Sequence, residues 1–175
     1  MSIFSNNKIK LIEKGTILLR QGEICNFGCK VIEGCLKSYF IDKTGKEHII
    51  QFAPEDWIIT DMNSLLNRVP SNIFIEAIED SRVYWIHNDT KGLLDIWEQF
   101  SKEELIEQVQ LFTKNIIAGN NRTRMLLSST GKERYLDFIR TYPTLLQRIP
   151  LKLIASYIGV TPEYLSEIRK KLADK

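Results

Sequence analysis

The most constraining feature of the sequence is the stretch from residue 149 to residue 172, which has the pattern of two short helices joined by a tight turn. Apolar residues recur at helical spacing in both halves, and they are Leu151, Ile154, Ala155 and Ile158, then Leu165, Ile168 and Leu172. Gly159 separates the halves and can take the left-handed backbone conformation that ends a helix. Thr161 and Pro162 follow as an N-cap hydroxyl and a proline at the first helical position. The stretch therefore predicts a helix-turn-helix.

The second of these helices has a polar outer face. In DNA-binding proteins with this motif, the second helix enters the major groove and reads the bases. The candidate DNA-binding residues are Lys152 on the first helix and then Thr161, Pro162, Glu163, Tyr164, Ser166, Glu167, Arg169, Lys170 and Lys171. The same spacing fits an ordinary helical hairpin in a protein core. The order of turn glycine, cap and basic end favours DNA binding over that hairpin.

Charge is divided unevenly along the chain. Up to Gly119 there are 13 Lys and Arg against 17 Asp and Glu, whereas from Asn120 onward there are 11 against 5. An acidic N-terminal part joined to a basic C-terminal part is typical of a sensor coupled to a polyanion-binding module. Solubility alone would also account for either balance, so the charge pattern supports this interpretation without deciding it.

The first half of the chain, from Ile9 to Trp85, has the pattern of short strands separated by turn residues. The predicted strands are residues 16–20, 28–32, 36–41, 48–53, 57–59, 73–78 and 82–86. No helical period competes with them. Strands this short and evenly spaced predict an antiparallel sandwich or barrel.

Two helices are predicted after the strands. A short amphipathic helix carries Leu93, Leu94, Trp97 and Phe100, and a longer one begins with a capping box at residues 101–104. The longer helix has a heptad seam formed by Leu105, Val109, Phe112, Ile116, Gly119, Thr123 and Leu126. This seam fits either pairing with a second copy or packing against the chain's own barrel. After a junction at residues 131–132, a further helix is predicted from Glu133 until Tyr142, which precedes a proline.

Other classes of protein are disfavoured by the sequence. It contains no run of eighteen apolar residues and no signal-peptide core, so we expect a cytoplasmic protein with no membrane contact. Cys25, Cys29 and Cys35 could hold a metal or an iron–sulfur cluster, but a fourth ligand is not evident, and buried hydrophobic roles are favoured. We therefore expect no metal and no cofactor. His48 and His87 lie far apart and no hydrolase, phosphate-loop or zincin motif occurs, so we expect no enzymatic activity.

Three landmarks connect the strand-rich half to a known family. They are Leu18–Glu23, Val31–Gly34 and Lys43–Glu47, and together with the C-terminal pattern they resemble the Crp/Fnr family of transcription regulators. The resemblance implies an α+β fold with an N-terminal antiparallel β-roll, a double-stranded β-helix of the cyclic-nucleotide-binding type. It also implies a connector helix that pairs with its twin, and a C-terminal helix-turn-helix. The expected divisions are residues 1–100, 101–130 and 131–175.

The sensor departs from the family pattern. In members that bind cyclic AMP, a cassette runs Phe-Gly-Glu and ends in Pro-Arg, and the arginine pairs with the cyclic phosphate. Here the matching stretch begins at Ala53–Trp57 and ends at Val69–Asn72, with Ser71 in place of the arginine. A hydroxyl offers one neutral donor where arginine offers a charged, two-pronged contact, so we expect no tight binding of cyclic AMP. The candidate effector-pocket residues that the resemblance implies are Asp56, Trp57, Arg68, Pro70, Ser71 and Asn72.

The recognition helix departs from the pattern as well. Family members commonly present an arginine–glutamate pair and a second arginine one turn later, and the matching positions here are Pro162, Glu163 and Glu167. Only the glutamate is kept. Relatives also add a β-hairpin wing after this helix, which we do not expect in these 175 residues.

These observations predict a dimeric transcription regulator whose partners are double-stranded DNA and a second copy of the chain. An unidentified small effector and RNA polymerase are further candidate partners. The alternative is a small-ligand-binding or protein-interaction β-roll module with a vestigial DNA-binding end.

Overall fold

The structure, a computed structural model, describes residues 9–87 and 100–173. The first range holds the strands and one short helix. These elements are β1 (Ile9–Ile12), β2 (Ile17–Leu19), β3 (Phe27–Glu33), β4 (Leu36–Ile41), β5 (Glu47–Ala53), β6 (Ile58–Ile59), α1 (Met62–Asn67), β7 (Phe74–Ala77) and β8 (Ser81–His87).

Within the described residues the strands form two four-stranded antiparallel sheets, which we call the roll. One sheet has the order β1-β8-β3-β6 and the other the order β2-β7-β4-β5. Apolar side chains alternate along the strands, as in β3, where Phe27, Cys29 and Val31 are buried and Lys30 is partly exposed. Because side chains of period two point to one face of a sheet, this alternation places the core between the sheets.

The seven strands predicted from the sequence are confirmed, with ends that shift by at most one residue. Two elements of this region were not predicted. Strand β1 pairs with β8 at the edge of its sheet. Helix α1 contradicts the expectation of strands alone, because Asp61 caps it by accepting a hydrogen bond from the Ser64 N–H at 3.1 Å. At six residues it is too short to give a visible helical period.

The second range is helical. Its elements are α2 (Lys102–Ser128), α3 (Gly131–Thr141), a 3₁₀ turn (Leu145–Gln147), α4 (Leu151–Ile158) and α5 (Pro162–Ala173). The capping box at the start of α2 is confirmed, since Ser101 and Glu104 exchange side-chain-to-backbone hydrogen bonds of 2.8 and 3.3 Å. Helix α3 begins at Gly131 rather than at Glu133, because Thr130 forms a second capping box with Glu133.

One hydrophobic core runs from the roll into the C-terminal helices. Phe52 of β5 packs edge-to-face on Phe138 and Tyr142 of the α3 region, with ring centroids 6.0 Å apart in both pairs. The core thus crosses the predicted divisions of the chain, which remain a prediction. The predicted short helix at Leu93–Phe100 lies outside the described residues apart from Phe100. None of the helices described is both long and apolar enough to cross a membrane.

Candidate nucleic-acid interface and its attachment to the roll

Helices α4 and α5 and the turn between them form the C-terminal helix pair. Gly159 ends α4 with a φ of 67° and a ψ of 44°, in the left-handed region that suits glycine. The Val160 N–H donates to the Ala155 carbonyl at 3.0 Å, which satisfies a carbonyl at the end of the helix. Thr161 caps α5, because its Oγ1 accepts a hydrogen bond from the Tyr164 N–H at 3.2 Å. The turn glycine and the cap predicted from the sequence are both in place.

The pair buries one face and presents the other. Leu165 is fully buried and Ile168 is 4% exposed in the common core. All ten candidate DNA-binding residues are exposed: Lys152, Thr161, Pro162, Glu163, Tyr164, Ser166, Glu167, Arg169, Lys170 and Lys171. The charged side chains among them form no ion pair with another residue of the described chain. Their charges are therefore available to an external partner.

Arg122 of α2 attaches the helix pair to the rest of the molecule. Its guanidinium donates to the Tyr157 carbonyl at 2.9 and 3.0 Å and to the Ile49 carbonyl of β5 at 2.8 Å. The same group lies over the Tyr157 ring, 4.5 Å from its centroid. Burial lowers the pKa of Arg122 from its ordinary value, but an arginine stays protonated in proteins. One side chain thus joins the connector helix, the roll and the C-terminal end of α4, where a positive charge is favourable.

Arg148, just before α4, makes a second attachment. Its guanidinium binds both carboxylate oxygens of Glu55, at 2.8 and 2.9 Å, and one oxygen of Glu79, at 3.1 Å. Hydrogen bonding to Glu55 is the main cause of a raised Arg148 pKa. Burial acts to raise the pKa of Glu55, but the contacts with Arg148 outweigh it and lower that pKa. A bidentate pair of this kind fixes orientation as well as distance.

A hydroxyl and a group of aromatic rings complete the junction. Ser156 of α4 donates to the Glu47 carbonyl at 3.0 Å and accepts from the Ile49 N–H at 3.1 Å, so α4 is hydrogen-bonded to β5. The Phe52 and Tyr157 rings lie 5.3 Å apart, and Trp57 lies 5.1 Å from Tyr142. The helix pair is therefore packed on the roll by apolar and polar contacts together.

The predicted seam of α2 lies on a side of the helix that the roll leaves partly uncovered. The buried positions of α2 are instead Glu104, Gln108 and Leu111. Among the seam residues, Val109, Ile116, Gly119 and Thr123 are exposed, whereas Leu105, Phe112 and Leu126 are partly exposed. Val109 and Ile116 expose 59% and 62% of their surface. The roll therefore covers only part of the seam.

The six candidate effector-pocket residues have different surroundings. Asp56 is 76% exposed at its side chain and pairs with Lys30 at 3.3 Å. Trp57 is buried against Tyr142, on the side of the roll that faces the helices. The other four candidates follow or end α1, and they are Arg68, Pro70, Ser71 and Asn72. The first two candidates precede β6, and the last four lie at the end of α1 or after it.

Around α1, the polar groups are satisfied by one another. Ser71 is 2% exposed, and its hydroxyl donates to Asp61 Oδ2 at 2.8 Å and accepts from the Ile73 N–H at 3.1 Å. The other oxygen of Asp61 caps α1. Ser64 is fully buried, where it donates to the Val69 carbonyl at 2.6 Å and accepts from the Cys25 N–H at 2.8 Å. A carboxylate of the chain itself therefore stands at the N-terminal end of this helix.

Comparison with known proteins places this architecture. Residues 9–94 match the profile of the cyclic nucleotide-binding domain. FixK2 from Bradyrhizobium japonicum superposes with a TM-score of 0.77 at 17% identity, over 95% of this chain and 84% of its own. A CRP/FNR-family transcriptional regulator from Thermus thermophilus gives a TM-score of 0.69 at 15% identity, over 95% and 86%. The chain has the Crp/Fnr fold.

A further match extends the Crp/Fnr comparison. CLP from Xanthomonas campestris, described as a c-di-GMP-responsive global regulator, gives a TM-score of 0.75 at 11% identity, over 98% of this chain and 88% of its own. No curated protein sequence gives a significant match.

The three cysteines of this Crp/Fnr-type chain are buried and unpaired. Cys25 and Cys35 direct their thiols at backbone carbonyls, at 3.2 and 3.4 Å. Burial raises the pKa of Cys29 to about 12 and that of Cys35 as well, so both are thiols at neutral pH. Within residues 9–87 and 100–173, no three potential metal ligands cluster. The geometry matches the buried hydrophobic role that the sequence favoured.

Several residues that join the C-terminal helix pair to the roll were not identified from the sequence. Arg122, Arg148 and Ser156 bind partners in the roll that lie between 69 and 109 residues away along the chain. Their spacing carries no local motif. Asp61 had a usable signal, because Asp is a favoured N-cap residue, but α1 was too short to be recognised.

Proposed function

We propose that the protein is a dimeric, DNA-binding transcription regulator. The observation that carries the proposal is the C-terminal helix pair, whose turn, cap and buried face are those of a helix-turn-helix and whose candidate reading residues are all exposed. Such a regulator acts in the cytoplasm, on double-stranded DNA, with RNA polymerase as a further candidate partner. The divisions at residues 1–100, 101–130 and 131–175 are part of this proposal.

The uncovered part of the α2 seam supports pairing with a second copy. Contiguous apolar side chains exposed on one side of a helix are typical of an interaction surface. Besides Val109 and Ile116, the neighbouring Leu127 is 84% exposed. A two-fold pair along this seam would present two α5 helices to successive major grooves, as symmetric DNA sites require.

The roll is proposed as a sensor that does not take cyclic AMP in the usual way. At α1, the chain supplies its own carboxylate, Asp61, and the buried Ser71 is already bound to it. A phosphate brought to that place would meet a negative charge instead of an arginine. Isothermal titration with cyclic AMP should show no binding at micromolar concentration, and micromolar affinity would contradict this part of the proposal.

Selection of bound sites from random double-stranded DNA tests the proposal. We expect enrichment of a two-fold symmetric sequence with half-sites about 10–10.5 base pairs apart or a multiple of that spacing. Binding of the enriched site should weaken steeply as the salt concentration rises. Failure to enrich any sequence, with no salt-dependent binding, would overturn the proposal and leave a ligand-binding or protein-interaction module as the function.

A matched pair of variants separates reading from folding. Glu167 is exposed on α5 and forms no ion pair with a described residue, so Glu167→Ala should change site preference and leave the unfolding temperature within about 1 °C. Glu103→Ala, at the exposed start of α2, removes the same charge away from the reading face and serves as the control. An identical set of selected sites for wild type and Glu167→Ala would mean that this residue does not read DNA.

A further inference from the structure

A groove of about 780 Å³ lies between the roll and the C-terminal helix pair. Lys14 and Lys46 of the roll line one side, and Lys152 of α4 lines the other. Thr161 and Pro162, the cap and first residue of α5, stand at the groove as well. The groove therefore opens at the end of α5 that approaches base edges in a helix-turn-helix complex.

The acidic side chains of the groove are paired with a cation of the protein itself. Lys37 is buried and pairs with Glu47 at 2.6 Å and with Glu76 at 3.3 Å. Arg148 is engaged by two carboxylates of the roll. Each of these two sets has one cation and two carboxylates, so each set keeps one net negative charge.

Three lysines of the groove keep their full charge. Lys14, Lys46 and Lys152 are exposed, and none of them pairs with a carboxylate within the described parts of the chain. Two of the three belong to the roll rather than to the helix pair. A cluster of unpaired lysines on a groove wall attracts phosphate.

The recognition helix itself lacks positive charge at this end. Its first two turns carry the exposed carboxylates of Glu163 and Glu167, and its basic residues begin at Arg169. Phosphates on either side of a major groove would be repelled by those carboxylates, and affinity for DNA rests largely on phosphate contacts. Lys14, Lys46 and Lys152 line the groove at which the start of α5 stands.

We propose that the roll contacts DNA directly, with Lys14 and Lys46 binding phosphates of the same duplex whose bases α5 reads. This inference rests on the proposed function and names a second part of the DNA interface. Because phosphate contacts carry no base information, the roll would supply affinity and the helix pair would supply sequence preference. The sensor would then influence DNA binding through the number of its own phosphate contacts.

The salt dependence of binding measures those contacts. The variants Lys14→Gln and Lys46→Gln and their combination are compared with wild type on the selected site between 50 and 300 mM KCl. Each lost phosphate contact lowers the slope of log K against log salt by about 0.9, so each substitution should lower it by about 1.8 in a dimer. The preference among base sequences should stay unchanged.

The substitutions leave the fold in place, because both lysines use only their main chain in structural contacts. The Lys14 N–H donates to Asp80 Oδ1 at 2.8 Å and the Lys46 N–H to Asp42 Oδ1 at 3.1 Å. The matched control is Lys102→Gln, at the start of the 27-residue helix α2 and about 30 Å along it from Arg122, which binds the helix pair. It removes one exposed lysine far from the groove.

Slopes lowered in the groove variants and unchanged in Lys102→Gln would support the inference. Unchanged slopes in all variants would overturn it, as would an equal decrease in the control, and the proposed function would stand in both cases. A groove that holds a small phosphorylated compound instead of DNA would give the first of these contrary results. Absence of DNA binding by the wild type would overturn the proposed function and this inference together.

Discussion

Helix α2 has two faces in opposite surroundings. On the inner face, Arg122 and Asn115 donate to carbonyls of the roll at 2.8 and 2.7 Å, and Arg122 also holds α4. On the outer face, the side chains of Val109 and Ile116 are 59% and 62% exposed. The inner contacts join the roll, α2 and the C-terminal helix pair into one body. The outer face of α2 is the proposed contact with a second copy, and the geometry of that contact can change. Regulation of the proposed dimer would then change how two bodies pair, rather than swing a helix pair on its own roll.

The largest expected effect comes from a substitution that disrupts the packing between the roll and the helical region. Phe52 is fully buried among three aromatic rings of the helical region, so Phe52→Ala should lower the free energy of unfolding by about 3–5 kcal/mol. Ile117→Ala, at a 55% exposed position of α2, should change it by less than about 0.5 kcal/mol. Urea denaturation measures both. Equal effects would mean that the junction is not part of the core.

The second expected effect comes from a double substitution on the outer face of α2, which leaves the inner face unchanged. Val109→Glu combined with Ile116→Glu places unpaired charges in the proposed interface, which should raise the dimer dissociation constant more than about 100-fold. Light scattering at micromolar concentration should then give a monomeric mass. Leu66→Glu, at an exposed apolar position of α1, should keep the dimeric mass. A wild-type monomer, or a dimer that survives the double substitution, would contradict pairing through this seam.

The third effect compares two glycines of the helical region. Gly159 has a positive φ, and an added Cβ would lie 3.1 Å from Leu126 Cδ2, so Gly159→Ala should destabilise the protein by about 1–2 kcal/mol. Gly119 lies within α2 with open space beside it, so Gly119→Ala should stabilise the helix by up to about 1 kcal/mol. Thermal unfolding measures both, and the same sign for the two substitutions would contradict the assigned backbone conformations.

The smallest expected effect is the pH dependence of stability that comes from the ion pair between Arg148 and Glu55. Since the folded-state pKa of Glu55 is lowered, its contribution to stability is present above the ordinary glutamate value of 4.5 and is lost as the pH falls below it. Wild type should therefore lose more stability between pH 6 and pH 3 than Glu55→Gln. Urea denaturation across this range measures the difference. Parallel profiles for the two proteins would show that the pair with Arg148 does not contribute.

The sequence was sufficient where structure depends on neighbours along the chain. Strand alternation, the Ser101 capping box, and the glycine and cap of the C-terminal helix pair are local patterns, and each is found where it was predicted. The exposure of Val109 and Ile116 on α2 does not follow from helical periodicity, because that periodicity fits pairing and packing on the roll equally.

The rest depends on contacts between distant residues. No local pattern could show that Arg148 would meet Glu55, 93 residues away, or that Asp61 would bind Ser71 across a short helix. The surroundings of the effector candidates taken from the family resemblance depend on such contacts as well, because Trp57, in the landmark stretch Ala53–Trp57, packs on Tyr142, 85 residues away.

The protein is proposed to bind DNA as two rigid bodies that pair through α2. This is tested by the affinity of the wild-type protein for symmetric sites in which the spacer between half-sites is lengthened by one or two base pairs. Each inserted base pair rotates one half-site by about 34° around the duplex. Two rigid bodies paired through α2 should bind one spacing best and lose more than about tenfold in affinity with each insertion. Equal affinity for all spacings would contradict this proposal. So would an affinity for a single half-site equal to that for the symmetric site.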